Sequence, residues 1–181
     1  MVLSDLYYSA KPVIPLRVRL TLRRILAEHL RQKHAGVWPI NEAAGTMPVQ
    51  WPGWPEGKKF AFVLTHDVEG KRGLDRTEEL ADLEIRHGFR SAFNFVPEGE
   101  YRVSDSLRAF LAMNGFEVGV HDLHHDGTLY HSQESFRAGV EKINHYITQW
   151  GAVGFRSGFM RHNLRWLDEL NVLYDSSTFD T

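Results

Sequence analysis

Residues 60–70 read FAFVLTHDVEG. The run Phe60–Thr65 is short, apolar and uninterrupted, the pattern of a strand buried on both faces. It passes directly into His66, Asp67 and Glu69, so polar chemistry sits at the end of a buried element. Working outward, the same order recurs. Asp75–His87, with Leu74, Leu80, Leu83 and Ile85 among charges and Gly88 behind it, reads as a helix with a glycine stop. Phe89–Val96 is a second strand, Ser104–Asn114 a helix ending at Gly115, and Phe116–Val120 a third strand. Ser132–Trp150 is a long amphipathic helix stopped by Gly151. Ala152–Phe155 is a fourth strand, Asn163–Asn171 a helix, and Val172–Tyr174 a fifth strand. Strand–helix alternation with short connections predicts an α/β fold with parallel strands and its chemistry at the carboxyl ends of those strands. The polar clusters fall there: His66–Glu69 after the first strand, His121–Asp126 after the third, Arg156 after the fourth, and Asp175-Ser176-Ser177 after the fifth.

Residues 1–59 read differently from residues 60–181. Between Lys11 and Lys33 stand Lys11, Arg17, Arg19, Arg23, Arg24, Arg31 and Lys33 against Glu28 alone. This stretch is expected to be helical from about Pro15, where proline suits a first turn. Trp38-Pro39, Pro48, Trp51-Pro52-Gly53-Trp54-Pro55 and Gly57 then break regular structure. The expectation is an irregular extension, a basic helix and a Trp/Pro-rich strap over a domain spanning 60–181.

Composition narrows the chemistry. The 181 residues contain no cysteine, which excludes disulfides and thiolate metal sites, so any metal must sit on His, Asp or Glu. The net charge of −2 argues against nucleic acid as the main partner. The basic Lys11–Lys33 stretch reads first as a solvated helix, with contact at an anionic surface, a membrane or a lipid-linked sugar, as the alternative. The first ten residues lack the order of a secretory signal, and no apolar run reaches the roughly 20 residues of a membrane span. The expected location is the cytoplasm, with membrane association as the alternative. Oligomeric state is not legible.

His121-Asp122-Leu123-His124-His125 contains a His-x-x-x-His pair, whose i, i+4 spacing on a helical turn would aim two imidazoles at one ion. His124 and His131 read as bystanders. Asp67 and Glu69, at i and i+2, point to one side if strand geometry persists. One can bind a metal while the other takes a proton from water. Two imidazoles and a carboxylate suit one divalent ion, zinc first, with nickel, cobalt or iron compatible. His66, Asp122, Asp126 and Asp175 are candidates for the surrounding support.

LTHDVEG, EVGVHDLHHDG, GFRSGFMRHN and LYDSSTF, in that order, resemble the polysaccharide-deacetylase proteins (NodB homology, carbohydrate esterase family 4). The resemblance covers about Phe60 to Thr181. It implies a distorted (β/α) barrel of the NodB type, here partial. The implied activity is metal-dependent removal of acetyl or similar acyl groups from an N-acetylated carbohydrate. Asp67 would be the base, Glu69, His121 and His125 the metal ligands, and Arg156 the residue orienting the base; the reverse assignment of Asp67 and Glu69 stays open. This chain has Asp-Val-Glu where the family commonly has adjacent aspartates, and Ser157-Gly158 where it has prolines after the arginine. The family's histidine acid belongs to a motif beyond Thr181, so a truncated chain or a barrel completed in trans is expected; His162 reads as a solvated loop residue. A cyclic-imide or formamide type of C–N hydrolase, or a metal- or glycan-binding module, are the competing functions.

Overall fold

The computed structural model describes residues 13–37, 42, 45–47 and 49–178. Lys11, Trp38, Pro39, Pro48, Phe179 and Thr181, on which the sequence reading drew, lie outside them. The described residues divide into two compact units, one up to Gly57 and the other from Lys58 onward.

In the first unit, helix α1 (Leu16–Lys33) begins directly after Pro15, which takes the N-cap position. None of its residues is buried. Trp51 and Trp54 meet edge to face with ring centroids 5.0 Å apart, and a single 3-10 turn spans Pro55–Gly57.

The second unit is built on five strands, all parallel and in sequential order. They are β1 (Thr65–Val68), β2 (Ala92–Phe95), β3 (Glu117–His121), β4 (Gly154–Arg156) and β5 (Tyr174–Asp175). Helices α2 (Lys71–Leu74), α3 (Thr77–His87), α4 (Asp105–Met113), α5 (Gln133–Trp150) and α6 (Leu164–Leu167) fill the connections. Sequential parallel order with right-handed crossovers places the helices on one face, which is how an arc of a (β/α) barrel is made.

Side-chain alternation then gives the arc two unlike faces. Val68, Phe93, Phe95, Val118, Val120 and Phe155 point to the helices and are buried. They form two cores. One joins β1–β3 to Ala81, Leu107 and Leu111, and the other joins β3–β4 to Phe136, Ile143, Ile147 and Leu167. The opposite face carries Thr65, Asp67, Asn94, Glu117, Gly119, His121 and Arg156, a polar lining.

Local chemistry explains most helix boundaries. Ser104 and Ser132 cap α4 and α5 by accepting from the Leu107 and Ser135 amides, both at 3.1 Å. Gly88 and Gly151 end α3 and α5 in the left-handed conformation. Three expectations are corrected. The first strand is Thr65–Val68, not Phe60–Thr65, and Phe60, Phe62 and Val63 are exposed. Pairing starts only where β2 begins, at Thr65 opposite Ala92, so an apolar run did not locate the strand. The helix expected over Asn163–Asn171 is one turn, because the Asn144 side chain takes the Glu169 carbonyl (3.1 Å) and the Asn171 amide (2.8 Å). Those bonds replace the ones a longer helix would use. The helix expected over Asp75–His87 is one helix that starts two residues later, at Thr77, with the separate turn Lys71–Leu74 before it.

The Tyr101 hydroxyl clamps the carboxyl ends of β1 and β2, donating to the Val68 carbonyl and accepting from the Val96 amide at 2.9 Å. Burial pushes its phenol up to about 12. The folded state therefore holds this proton more tightly than the unfolded chain, whose tyrosines ionise near ~10. Its contribution is intact below about pH 10 and lost as pH rises through about 12. In urea denaturation at pH 8, Tyr101→Phe should cost about 1–3 kcal/mol, the usual penalty for orphaning buried polar groups. At pH 11 the gap between variant and wild type should narrow; a gap that is constant across the two pH values counts against this account.

Candidate metal centre

Three ligand atoms, one each from Glu69, His121 and His125, lie within 4.8 Å of one another. Glu69 is the first residue past β1, and its Oε1 stands 3.3 Å from His125 Nε2 and 3.9 Å from His121 Nε2. Ligands about 2.1 Å from a shared tetrahedral ion would be separated by roughly 3.4 Å.

His121 is prepared as an acceptor. His121, 2% exposed, places Nδ1 3.0 Å from the Arg156 carbonyl. A carbonyl can only accept, so Nδ1 carries the proton and Nε2 presents a lone pair. His121 Nε2 and His125 Nε2 are both shut away from water without a hydrogen-bond partner. Two buried ring nitrogens without hydrogen bonds, converging with a carboxylate oxygen, are costly when left alone and are satisfied together by a cation. The residues present therefore fit a divalent ion.

The spacing of the two histidines works differently from a helical turn. His121 ends β3, while Asp122 (φ 59°) and His125 (φ 54°) adopt left-handed backbone in the loop that follows. Asp122 makes this loop possible. Its amide donates to the Arg156 carbonyl at 2.9 Å. Its buried carboxylate accepts from the Leu123 amide (2.7 Å) and the Gly158 amide (3.2 Å). Asp122 thus shapes the loop, its carboxylate hydrogen-bonded to backbone amides. A Cβ on Gly158 would fall 2.3 Å from Asp122 Oδ2 and 3.2 Å from His125 Cδ2.

Beside the cluster, Asp67 lies on the same strand face as Glu69, as the i, i+2 spacing expects. Arg156 Nη1 donates to Asp67 Oδ1 (3.1 Å), Asp67 Oδ2 (3.2 Å) and Thr65 Oγ1 (3.0 Å), and Nε donates to Ser176 Oγ (3.0 Å). Asn94 Nδ2 donates to Asp67 Oδ1 at 3.0 Å. Thr65 and Asn94 are site residues the sequence reading missed, whereas Ser176 belongs to the strand-end cluster after the fifth strand. Asn94 left a signal as a polar residue inside the apolar strand AFNF. It is level with Asp67 on one side and Gly119 on the other, where a Cβ would sit 2.1 Å from Asn94 Oδ1. Phe159, also missed, is strained at φ 55° and packs tilted against His125 with centroids 4.6 Å apart.

Other candidates lie elsewhere. His66 faces the helices, its Nε2 2.5 Å from Glu84 Oε1, with Ser91 Oγ donating to the other carboxylate oxygen at 2.6 Å. Strand alternation separates it from Asp67, so it does not join the cluster. Asp126 accepts from the Thr128 amide (2.9 Å) and hydroxyl (2.7 Å), closing its own turn. Burial raises its carboxyl, but those bonds outweigh burial and bring it below the ordinary value. Asp175 accepts from the Ser177 amide at 3.1 Å and from its hydroxyl. Ser177 Oγ accepts from the Ser157 amide and hydroxyl, both at 2.8 Å, and Tyr130 joins Ser157 at 2.7 Å. Asp175 thus steadies the loop after Arg156. His124 turns to Glu98, as a bystander would.

No family profile and no curated protein matches the chain. Solved structures do. A protein described as a polysaccharide deacetylase from Mycobacterium smegmatis matches with a TM-score of 0.54 and 19% identity, over 72% of this chain and 55% of that one. The family 4 carbohydrate esterase from Streptomyces lividans matches at 0.48 and 19% identity, over 59% and 55%. The chitin deacetylase from Colletotrichum lindemuthianum matches at 0.48 and 16% identity, over 60% and 50%. The chain spans about half the length of the structures it matches. The first comparison carries the argument, and it is one of fold: the chain has the α/β fold of the polysaccharide deacetylases.

Gly158→Ala should displace the Asp122 carboxylate and the His125 ring together, so zinc affinity measured by calorimetry should fall about tenfold or more. Unchanged affinity would show that Gly158 does not support the cluster.

Proposed function

We propose that this chain is a divalent-metal-dependent hydrolase, or part of one, that removes acetyl or similar acyl groups from an N-acetylated carbohydrate. The observation that carries this reading is the pair of buried, partnerless Nε2 atoms of His121 and His125 converging on Glu69, with the Arg156-held Asp67 two residues from that ligand. Glu69, His121 and His125 would hold the ion, zinc by ligand type, with nickel, cobalt and iron also compatible. When bound, the ion supplies a Lewis acid that polarises the acyl carbonyl and acidifies the attacking water.

The chain's own residues supply the remainder. Asp67 is the base. Its Oδ1 already receives Asn94 and Arg156, whereas Oδ2 receives Arg156 alone, so Oδ2 is the less encumbered oxygen to take the proton. Arg156 and Asn94 aim that carboxylate by charge-assisted hydrogen bonds. The Gly158 amide is committed to Asp122 and holds the loop. The substrate class is supported by the likeness of fold to a protein described as a polysaccharide deacetylase.

Metal analysis should find about one divalent ion per chain, lost in a His121→Ala/His125→Ala double variant; a wild type that takes up no zinc, nickel or cobalt overturns the site. Acetate release from acetylated chito-oligomers should fall about 10²–10⁴-fold in Asp67→Asn, the usual weight of a general base. Equal rates in the two proteins remove Asp67 from that role. Arg156→Lys should retain the ion, because the ligand His121 is held by the Arg156 backbone carbonyl. Its turnover should nevertheless drop at least about tenfold, since lysine cannot reproduce the guanidinium's directed contacts. Loss of the ion in Arg156→Lys would count against this division of labour.

A further inference from the structure

Helix α1 carries six cations, Arg17, Arg19, Arg23, Arg24, Arg31 and Lys33, against the single acid Glu28. The chain as a whole is slightly acidic, so this charge is concentrated locally. At 3.6 residues per turn, Arg17, Thr21, Arg24, Glu28, Arg31 and Gln32 share one polar stripe. Val18, Leu22, Leu26 and Leu30 follow at every fourth position on the opposite side, with Arg19 and Lys33 interleaved among them, Arg23 at their edge, and Leu16, Leu20 and Ile25 on the flanks. Val18, Leu22, Leu26 and Leu30 are between 45% and 58% exposed, and no residue of the helix is buried. At 1.5 Å per residue the helix presents this surface along about 27 Å. Among the described residues, no helix is long and apolar enough to cross a membrane.

From this juxtaposition we infer that α1 is an interfacial helix that binds an anionic lipid surface, lying in the plane of the headgroups. Both halves of the pattern are needed for such binding. The leucine and valine side chains enter the acyl boundary, while the cations meet anionic headgroups, their long stems reaching up from the apolar level. A nucleic acid would use the cations and leave the apolar row in water. A second copy of the helix would cover the apolar row but bring Arg19, which stands within it, and Arg23, at its edge, against their counterparts. Anionic lipid satisfies the apolar row and the cations together.

The test is co-sedimentation of the full chain with vesicles of neutral phosphatidylcholine, or of the same lipid with 30 mol% phosphatidylglycerol. Binding is expected to the anionic vesicles at 50 mM salt and to weaken strongly at 500 mM. Arg17→Gln/Arg24→Gln/Lys33→Gln should weaken partitioning about hundredfold. Leu22→Glu/Leu26→Glu should abolish it. Because these positions are not buried, circular dichroism and zinc uptake should match the wild type in both variants. Hydrogen exchange of residues 16–33 should slow on anionic vesicles. Absence of binding at low salt, equal binding to neutral vesicles, or binding indifferent to the leucine substitutions overturns the inference. So does a concentration-dependent dimer that Leu22→Glu/Leu26→Glu dissolves while vesicles stay unbound. None of these readouts depends on the hydrolase reading.

Discussion

Arg156 stands at the end of β4 with its backbone and side chain committed to different halves of the site. Its carbonyl accepts from His121 Nδ1 and from the Asp122 amide, which presents the His121 lone pair and starts the loop that carries His125. Its guanidinium spans the lining to Asp67, Thr65 and Ser176. Asp67 and the histidine pair are thereby referred to one residue. That depends on register: His121 is paired with Arg156, and a slip of one residue would turn the whole lining toward the helices.

The polar lining does not hold the sheet together. Stability comes from the helix-facing side, where Phe93, Phe95, Phe136, Phe155, Leu111 and Ile143 are almost fully removed from water. Each large side chain buried this way contributes roughly 1.5–3 kcal/mol, before conformational entropy is set against it. The lining can then carry features a core would not tolerate. Asp122, His125 and Phe159 all adopt left-handed backbone, at an order of 1–3 kcal/mol each. Asp122 offsets part of that cost through its carboxylate, which ties the histidine loop to Gly158 in the loop after Arg156. Small residues matter for the same reason: Gly119 leaves the space that Asn94 occupies while it holds Asp67.

Much of the architecture was legible because it rests on local rules. Serine caps, glycine stops and strand–helix alternation located most elements, and the clustering of polar residues at strand ends located the site. Errors arose where long-range pairing decided the outcome. Residues 60–63 are apolar but precede the start of pairing, and the expected helix from Asn163 was cut short by Asn144, nineteen positions earlier in the chain. In the candidate site, His121, His125 and Glu69 were legible as candidates that the fold brings together, and Asp67 and Arg156 as strand-end residues that pair. Asn94 and Thr65 were not, because nothing local distinguishes an amide or hydroxyl aimed at a carboxylate from one aimed at water.

From the sequence alone came the absence of thiolate chemistry, the parallel α/β plan, the basic character of Leu16–Lys33, and the residue types able to hold a divalent ion. These follow from composition and from periods of two and 3.6 residues, which act over a few positions. Tertiary structure decided which candidates converge. It turned His66 away to Glu84, gave Asp122 the work of shaping a loop, and made the spacing of the two histidines a matter of left-handed backbone in place of a helical turn. The physical reason is that ligand convergence depends on the alternation and register of strands far apart in sequence, and those are set only when the sheet assembles.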